Sequence, residues 1–413
     1  MATPLAEILG PDGPLARALP GYKARPQQIE MAEHVAAALQ ERLQLVVEAG
    51  TGTGKTFAYL VPALLSGRKV IVSTGTRALQ DQLFHRDLPT ICAAIGRPVR
   101  IALLKGRANY LCRHRLDMAE QQAYARGLRK EVATALPRVR SWSYTTQRGD
   151  VAELPGIGEQ DPVWPWVTST RENCLGAECP KFEECFVLAA RREAQAADIV
   201  VVNHYLLMAD LVLKEEGFGD LLPGADAIVI DEAHQLPDVA AQFLGYSVST
   251  RQLAAISKDV AGELLLAQQM AGKVDGALSG LDAQIAAVLA ITGGQDARLE
   301  HAQWPDRLLE ALNGLGARAK ELADVIAPLG ADGQAAFKRL QERLEENADR
   351  LRSLTAEDAP GGVRWAETSA RNVSAHFAPV DVASQLSALM ETQPCAWILT
   401  SATLAVGDDF SHF

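Results

Sequence analysis

Val46 to Thr56 reads VVEAGTGTGKT, and this stretch decides the fold. An apolar run ends here and a helical stretch begins, which is the setting of a phosphate-binding loop. Glycines at 50, 52 and 54 let the backbone curl so that successive N–H groups point at phosphate oxygens. A chance glycine-rich turn is a poor alternative because GKT completes the pattern. The stretch predicts a nucleotide-binding domain of the α/β class.

Each residue of the loop has a predicted task. Lys55 would neutralise the β- and γ-phosphates, and the Thr56 hydroxyl would ligate Mg²⁺. Ala49 stands where the usual pattern has its first glycine, and its small side chain should permit the same turn. Upstream, the two-sided amide of Gln28 suits the edge of adenine. The predicted nucleotide-binding residues are Gln28, Ala49, Gly50, Thr51, Gly52, Thr53, Gly54, Lys55 and Thr56.

A second stretch supplies the carboxylates of the predicted site. DAIVIDEAHQLPD, from Asp226 to Asp238, runs from an apolar strand straight into Asp231 and Glu232. A carboxylate at a strand's carboxyl end can hold Mg²⁺ through water, and its neighbour can polarise the attacking water. We therefore assign Asp231 to the metal and Glu232 to the general base. With Lys55 they are the predicted catalytic residues.

Six short apolar runs are typical of buried parallel strands. Helical stretches, for example Gln28–Glu41 and Lys55–Leu65, lie between several of them. This alternation indicates a doubly wound α/β domain with a parallel sheet. The runs are Leu43–Val47, Val70–Ser73, Val99–Leu104, Asp198–Val202, Ala227–Ile230 and Trp397–Thr400.

Two long interruptions separate these strands and divide the α/β domain into 1–104, 198–242 and 386–413. The first, 105–197, holds a basic run, four of the six cysteines and a Pro/Trp-rich loop, Asp161–Val167, that is not expected to be helical. The second, 243–385, is rich in Ala, Leu, Glu and Arg with helical spacing, so we expect an all-helical insertion. Its apolar faces include Leu308, Leu309, Leu312 and Leu315, and also Phe337, Leu340, Leu344 and Leu351.

Charge is distributed unevenly along the chain. The net charge of −11 argues at face value against a nucleic-acid partner. From Arg97 to Arg148, however, twelve Lys or Arg stand against three Asp or Glu. A confined basic stretch fits a phosphate-binding channel, and it fits a solvated Arg-rich helical surface equally well.

The cysteines bear on compartment and on metal binding. No stretch approaches the roughly 20 apolar residues that cross a bilayer, and no leader is recognised, so a cytoplasmic protein without a membrane partner is expected. Cysteines there bind metal or stay reduced. Four have the spacing C-x61-C-x4-C-x5-C, and spacing alone leaves a [4Fe–4S] cube and zinc about even. They are Cys112, Cys174, Cys179 and Cys185; Cys92 and Cys395 are treated as small buried hydrophobes.

Taken in order, the motifs resemble those of superfamily 2 helicases, and within them the XPD/DinG group. AGTGTGKT, STGTRALQDQL, DEAH and TSAT stand where that group has motifs I, Ia, II and III, and VVVNHYLL (Val200–Leu207) resembles a stretch that precedes its DEAH. LLKGRANYLC and NCLGAECP are most similar to the bacterial YoaA branch. The resemblance spans most of residues 10–240 and returns at about 375–413.

The resemblance implies an ATP-dependent DNA helicase that moves 5′ to 3′ on single-stranded DNA in replication or repair. Its cofactors would be ATP, Mg²⁺ and a [4Fe–4S] cluster held by the four cysteines, which favours the cluster over zinc. Residues 105–197 would then be an iron–sulfur domain and 243–385 a helical arch within a RecA-like motor domain. Implied partners are single-stranded and forked DNA, and replication or repair proteins such as a polymerase clamp-loader accessory subunit.

Further residues receive roles from their place in these motifs. Small hydroxyl residues after the second strand suit a nucleic-acid phosphate, and cations around Cys112 would attract the DNA backbone. Tyr110, Trp164 and Trp166 could stack bases, although core packing suits most aromatic side chains better. The predicted DNA contacts are Thr74, Thr76, Lys105, Arg107, Arg113 and Arg115. The residues assigned to motor coupling are His234, Thr400, Ser401 and Thr403.

A motor of this kind also needs a second α/β domain, whose arginines stabilise the γ-phosphate during transfer. LTSATL is normally the last motif of the first domain, so we expect a fragment from which the second RecA-like domain is absent. Two other classes remain open. The fragment alone would be a nucleotide- and single-stranded-DNA-binding module without turnover. A metabolic P-loop kinase is the other class, against which DEAH, TSAT and the cysteine-bearing insertion argue.

Overall fold

The computed structural model describes residues 5–126, 129–171, 173–215, 221–267, 272–331, 335–357 and 361–405. The chain forms two compact units, each with its own sheet. Unit 1 comprises Met1–Gly106, Ala189–Phe243 and Asp381–Phe413, and unit 2 comprises Arg107–Leu188 and Leu244–Val380.

The described strands and helices follow in chain order. The strands are β1 (Gln44–Glu48), β2 (Val70–Thr74), β3 (Ile101–Leu103), β4 (Ile199–Asn203), β5 (Ala227–Asp231), β6 (Tyr246–Ser249), β7 (Ala297–Glu300), β8 (Gly362–Ser369), β9 (Asn372–Pro379) and β10 (Ala396–Ser401). The α-helices are α1 (Leu5–Leu9), α2 (Pro14–Ala18), α3 (Pro26–Glu41), α4 (Lys55–Ser66), α5 (Arg77–Gln82), α6 (Leu88–Ile95), α7 (Arg113–Arg126), α8 (Lys130–Ser143), α9 (Trp164–Val167), α10 (Phe186–Ala196), α11 (His204–Glu215), α12 (Leu236–Leu244), α13 (Thr250–Leu266), α14 (Gly272–Ile291), α15 (Asp306–Ala331), α16 (Ala335–Thr355) and α17 (Val382–Glu391).

Unit 1 contains a six-stranded sheet with the order β1-β10-β5-β2-β4-β3, and every pair in it is parallel. The six apolar runs are therefore confirmed as strands of one parallel sheet. Strands β2, β5 and β10 are buried along their whole length, which explains why they are continuous apolar runs rather than alternating ones. The predicted α/β class with a parallel sheet is confirmed.

The core of unit 1 lies between this sheet and the helices that cross over it. Alternate strand residues point to one face because the side-chain period of a strand is two. On one face Val72, Val201, Val229 and Ile398 pack with buried side chains of α1 to α4 and α6. Since parallel strands share their direction, their carboxyl ends meet at one edge of the sheet, where ligands bind in open α/β folds.

Unit 2 contains four long helices, α13 to α16, and a four-stranded antiparallel sheet with the order β6-β9-β8-β7. Helices and sheet enclose one apolar core. The predicted leucine faces are confirmed as part of it, with Leu309 only partly buried. Their buried members are Leu308, Leu312, Leu315, Phe337, Leu340, Leu344 and Leu351.

The expectation of an all-helical second insertion was wrong, because this sheet lies within it. Strands β8 and β9 form a hairpin in which Ser369 pairs with Asn372 across a two-residue turn. Ala366 and Thr368 on one strand and Val373 and Ala375 on the other are buried, which is the period-two pattern of a half-buried strand. That alternation is short and adjoins long helical stretches, so composition concealed it.

The Pro/Trp-rich loop also differs from expectation, since Trp164–Val167 forms one helical turn. Pro165 lies in the first turn. Proline is tolerated at that position because the N–H groups of a first helical turn have no partner within the helix.

Helix α14 is long and apolar enough, by length and composition alone, to cross a membrane. The expectation that no stretch would reach this threshold was therefore wrong. Val274, Leu278, Leu281 and Val288 of this helix are buried in the core of unit 2. A core helix passes the same test of length and composition, so the finding is weak support for a membrane span.

Candidate nucleotide-binding site

The loop between β1 and α4 is closed by its own hydrogen bonds. The Thr53 N–H and hydroxyl both donate to the Gly50 carbonyl, at 3.3 Å and 2.8 Å. Gly52 and Gly54 have φ of 79° and 84°, a region that glycine enters without steric cost. Ala49 needs no such freedom, because only Arg42 and Glu232 are described non-glycine residues with positive φ. Its N–H continues the sheet by donating to the Ser401 carbonyl at 3.0 Å.

Gln28 is buried against this loop. Its amide nitrogen donates to the Gly54 carbonyl at 3.0 Å, and its amide oxygen accepts from the Tyr22 hydroxyl at 2.7 Å. A Cβ atom at Gly54 would lie 2.1 Å from that nitrogen, so a larger residue would displace Gln28. The structure thus shows Gln28 supporting the loop, and its contact with adenine stays a prediction.

The structure brings the three predicted catalytic residues together at the carboxyl edge of the sheet. Lys55 Nζ lies 3.9 Å from Glu232 Oε1, and both side chains are largely shielded from solvent. Asp231 ends β5 and is 7% exposed. Glu232 has φ of 56°, a left-handed conformation that costs a non-glycine residue of order 1–3 kcal/mol and is concentrated at functional sites.

Both oxygens of the Asp231 carboxylate are oriented by donors. Oδ1 accepts the Glu232 N–H at 3.0 Å, and Oδ2 accepts the Tyr59 hydroxyl at 2.9 Å. Burial raises the pKa of Asp231, against the lowering effects of Tyr59 and Lys55. A divalent cation beside a buried carboxylate would favour its charged form, and oxygen ligands are those that Mg²⁺ prefers. The Asp231 carboxylate therefore suits Mg²⁺ chemically, and the metal site formed by Asp231 and the Thr56 hydroxyl stays a prediction.

A second set of contacts joins the predicted coupling residues to this site. His234 Nδ1 lies 2.8 Å from Ser401 Oγ and 3.5 Å from Glu232 Oε2. The Thr403 N–H donates to the same Ser401 hydroxyl at 3.4 Å. Thr400 is buried and pairs with Asp231 across β10 and β5. DEAH and TSAT are thus in direct contact.

Two further residues complete this edge, and sequence reasoning gave neither of them a role. Glu48 accepts the N–H groups of Leu404 and Ala405, each at 2.6 Å, and these bonds lower the pKa of Glu48. Buried His204 lies 2.7 Å from Ser73 Oγ, and burial lowers the pKa of its ring to about 4. His204 is therefore neutral at pH 7. Its place at the end of β4 was the available signal, because chemistry collects at the carboxyl ends of parallel strands.

The predicted phosphate cradle after β2 begins a helix. The Thr76 hydroxyl accepts the Leu79 N–H at 3.3 Å and caps α5. The Thr74 hydroxyl donates to the Thr76 carbonyl at 3.2 Å. Both hydroxyls thus shape the turn, and their contact with DNA stays a prediction.

The four cysteines of the predicted cluster are free thiols in unit 2. Cys112 interacts electrostatically with Cys174 and Cys179, and Cys179 interacts with Cys185 as well, so the four are neighbours. Burial raises the pKa of the Cys112 thiol to about 11. Within the described ranges, no three Cys, His, Asp or Glu side chains are placed so that they could hold a metal ion. The donor set suits a cluster chemically, but the cluster stays a prediction.

The four cations predicted to contact DNA have different surroundings. Lys105 is 7% exposed and lies 3.1 Å from Asp81, and Arg107 is half-buried in a short 3₁₀ turn. Arg113 donates to the Ser143 carbonyl at 2.9 Å and pairs with Glu184. Arg115 pairs with Asp259, which Arg343 contacts on its other oxygen. Three of these charges are therefore already matched within the chain.

The three aromatic residues predicted to stack bases also differ in their surroundings. Trp164 is buried, and its ring nitrogen donates to the Gly158 carbonyl at 2.7 Å; Tyr110 is buried too. Trp166 is only partly buried, and Lys258 Nζ lies 5.5 Å from its ring centre. Trp166 is thus the stacking candidate that the structure leaves accessible.

Trp166 lines a groove of about 440 Å³ within unit 2, here called the basic groove. Exposed cations surround it, and its one acidic lining residue, Asp259, is already paired with arginine. Two of these cations follow the start of α13 and another lies in the β8–β9 turn, so they are far apart in sequence and no local pattern marks them. The exposed cations are Arg129, Arg251, Lys258 and Arg371.

A parallel α/β sheet whose first strand leads into this loop, with a carboxylate pair at the end of β5, defines a P-loop NTPase domain. Residues 25–118 match the family model described as DEAD/DEAH box helicase. The chain is 43% identical, over 99% of its length, to the ATP-dependent DNA helicase YoaA of Escherichia coli, and covers 64% of that relative. It is 42% identical, over 54% of its length, to the ATP-dependent helicase DinG of Mycobacterium tuberculosis, and covers 35% of it. Over these aligned stretches the chain is similar to the YoaA and DinG helicases.

A solved structure titled XPD helicase is also similar, with a TM-score of 0.47 and 14% identity. That likeness covers 94% of this chain and 59% of the solved chain. The chain spans 64% of the length of the Escherichia coli relative and 35% of the length of the Mycobacterium tuberculosis relative.

Proposed function

We propose that this chain supplies the first motor domain of an ATP-dependent DNA helicase, together with two insertions that contact DNA. The observation that carries the proposal is the meeting of Lys55, Asp231 and Glu232 at one sheet edge, in a chain similar to YoaA and DinG. A cytoplasmic location follows from such a role.

The arrangement suggests a division of tasks during ATP hydrolysis. Lys55 would meet the charge of the β- and γ-phosphates, beside the N–H groups of the loop and the start of α4. Asp231 and Thr56 would hold Mg²⁺, which when bound neutralises charge on the phosphate oxygens. Glu232, at 3.9 Å from Lys55, would orient and deprotonate the attacking water.

The contact between DEAH and TSAT offers a path from this site to the rest of the motor. His234 contacts both Glu232 and Ser401 through its Nδ1 atom. A change in the position of Glu232 on hydrolysis would therefore reach the end of β10 through one imidazole. This supports the motor-coupling role proposed for His234, Thr400, Ser401 and Thr403.

We place single-stranded DNA in the basic groove, with Lys258 and Arg251 on phosphates and Trp166 against a base. Single-strand binding combines a cationic groove with aromatic side chains, and the basic groove has both. Arg113 and Arg115, by contrast, would hold the insertion together through their ion pairs.

We also propose that Cys112, Cys174, Cys179 and Cys185 hold a [4Fe–4S] cluster. Four neighbouring free thiols supply the donors that such a cube takes. Its role would be structural, since it would join Cys112, just before α7, to a loop that begins after 61 intervening residues.

The direct test of the proposed function is ATP hydrolysis with and without single-stranded DNA. We expect residues 1–413 to bind nucleotide and DNA but to turn over very slowly, because arginines from a second motor domain are worth ~10³ or more in rate. A chain extended to the length of its relatives should hydrolyse ATP rapidly when DNA is added and should separate strands. Robust unwinding by residues 1–413 alone would contradict this division of the motor.

Substitution of the basic groove should weaken DNA binding in two distinguishable ways. Lys258→Ala and Arg251→Ala should each lower the slope of log affinity against log salt by about 0.7, because one phosphate contact is lost. Trp166→Ala should lower affinity by the ~1–3 kcal/mol of one stacked base and leave the slope unchanged. Fluorescence anisotropy with a labelled oligonucleotide at several salt concentrations measures both quantities.

Arg318→Ala is the matched control for the groove substitutions. Arg318 is an exposed cation of unit 2 on α15, paired with Glu321, and it does not line the basic groove. It should leave both affinity and salt slope unchanged. Equal losses for Arg318→Ala and Lys258→Ala would show that binding follows the overall charge of the unit rather than the groove.

A further inference from the structure

The Tyr59 side chain is fully buried beneath the nucleotide site. It lies one turn into α4, four residues after Lys55, and its ring belongs to the core of unit 1. Its hydroxyl is the polar exception in that apolar setting. A buried hydroxyl needs a hydrogen-bond partner, and here the partner is Oδ2 of Asp231 at 2.9 Å.

The same phenol oxygen also interacts with the Thr56 side chain. A tyrosine phenol is protonated at neutral pH, so the Tyr59 hydroxyl can donate its proton to the Asp231 carboxylate. Donation to Oδ2, together with the Glu232 N–H on Oδ1, leaves one further lone-pair direction on each oxygen.

We infer that Tyr59 is the positioning residue that fixes Thr56 and Asp231 in the arrangement needed for Mg²⁺. The inference rests on the proposed function, since it takes those two residues as the magnesium ligands. Tyr59 would touch neither nucleotide nor metal, and would act by orienting oxygens that do. Partners of metal ligands act in this way in many metal sites, and their loss typically costs about 10–100-fold in metal affinity or activity.

Tyr59→Phe tests the inference, because it removes one oxygen and keeps the ring that fills the core. The measurement is the affinity of residues 1–413 for a fluorescent ADP, first in EDTA and then along a titration with MgCl₂. We expect binding in EDTA to stay within about twofold, since the loop's N–H groups and Lys55 are untouched. The Mg²⁺ concentration that gives half of the gain in affinity should rise about tenfold or more.

A double-substitution cycle with Asp231→Asn separates positioning from a general effect on the fold. If Tyr59 acts through Asp231, the double variant should have the same Mg²⁺ midpoint as Asp231→Asn alone, because residues in one network are not additive. Tyr144→Phe removes a hydroxyl from a tyrosine that is 72% exposed, and should change neither quantity. Melting temperatures without nucleotide report whether each variant is folded.

An unchanged Mg²⁺ midpoint in Tyr59→Phe, or additive effects in the cycle, would overturn the inference. Failure of the unmodified chain to bind ADP is a different result, because it would count against the phosphate loop and the proposed function. Binding of ADP by the unmodified chain without any gain from Mg²⁺ would overturn the metal ligands and the inference with them.

Discussion

Lys55→Ala should remove DNA-stimulated ATP hydrolysis from the chain extended to the length of its relatives while the fold survives. Lys55 is the cation that the structure places at the start of α4, behind Gly54 and 3.9 Å from Glu232. Removing one preorganised positive group from developing charge typically costs on the order of 10²–10³-fold in rate. Little packing is lost with it, so circular dichroism and the melting temperature should change little. A coupled ATPase assay with saturating single-stranded DNA measures the rate.

Two further variants make the Lys55 result specific. Lys320→Ala also removes a lysine and its ion pair, to Glu345 at 2.8 Å, but on the solvent-facing side of α15 in unit 2, and should hydrolyse ATP normally. Glu232→Gln should still bind nucleotide and hydrolyse it about 10²–10⁴-fold more slowly, as expected for a lost general base. Near-normal turnover by Lys55→Ala would show that the phosphate loop has been assigned to the wrong lysine.

The parallel sheet could be predicted from sequence because its central strands, β2, β5 and β10, are buried on both faces. Val70–Val72 and Ala227–Ile230 are continuous apolar runs within these strands. The antiparallel hairpin of β8 and β9 could not be predicted by the same argument. It buries only one face, so Ala366 and Ala375 alternate with exposed or half-exposed residues. In an Ala-rich stretch such alternation is indistinguishable from a helical surface.

The candidate site also combines residues that a local motif predicts with contacts that only the fold creates. Lys55, Asp231 and Glu232 could be predicted because each belongs to a local motif whose residue order is itself the signal. Tyr59 and Asp231 lie 172 residues apart, and no local pattern links them. The left-handed conformation of Glu232 is equally invisible in sequence, because it depends on the strand and helix on either side of it.

The cations of unit 2 show most clearly why prediction from local sequence patterns was incomplete. A run of arginines near Cys112 is conspicuous in sequence, yet Arg113 and Arg115 are matched by Glu184 and Asp259 in the fold. The exposed cations of the basic groove come from three separated segments instead. Charge density along the chain therefore indicated a basic stretch, but tertiary pairing decides which of its charges remain available.

Cys112→Ser should remove the iron from this protein and destabilise unit 2. Protein purified without oxygen should be brown, with about four iron and about four sulfide per chain, as a [4Fe–4S] cube requires. Cys112 precedes α7, far along the chain from the other three cysteines, so its loss would free the loop that the cluster is proposed to close. Iron and sulfide analysis with the visible absorption spectrum measures the cluster, and proteolysis of unit 2 measures its stability.

Cys92→Ser is the matched control for the cluster, because Cys92 is a half-buried thiol on α6 in unit 1, among apolar residues and outside the cysteine-bearing insertion. Its substitution should leave iron content unchanged, whereas serine at position 174, 179 or 185 should reproduce the loss seen with Cys112→Ser. The burial that raises the pKa of the Cys112 thiol to about 11 makes a bound metal necessary for a thiolate there at pH 7. A metal analysis that finds one zinc per chain and no iron would show that the four cysteines form a zinc site and not a cluster. Equal loss of iron from Cys92→Ser and Cys112→Ser would show that these four cysteines are not the ligands.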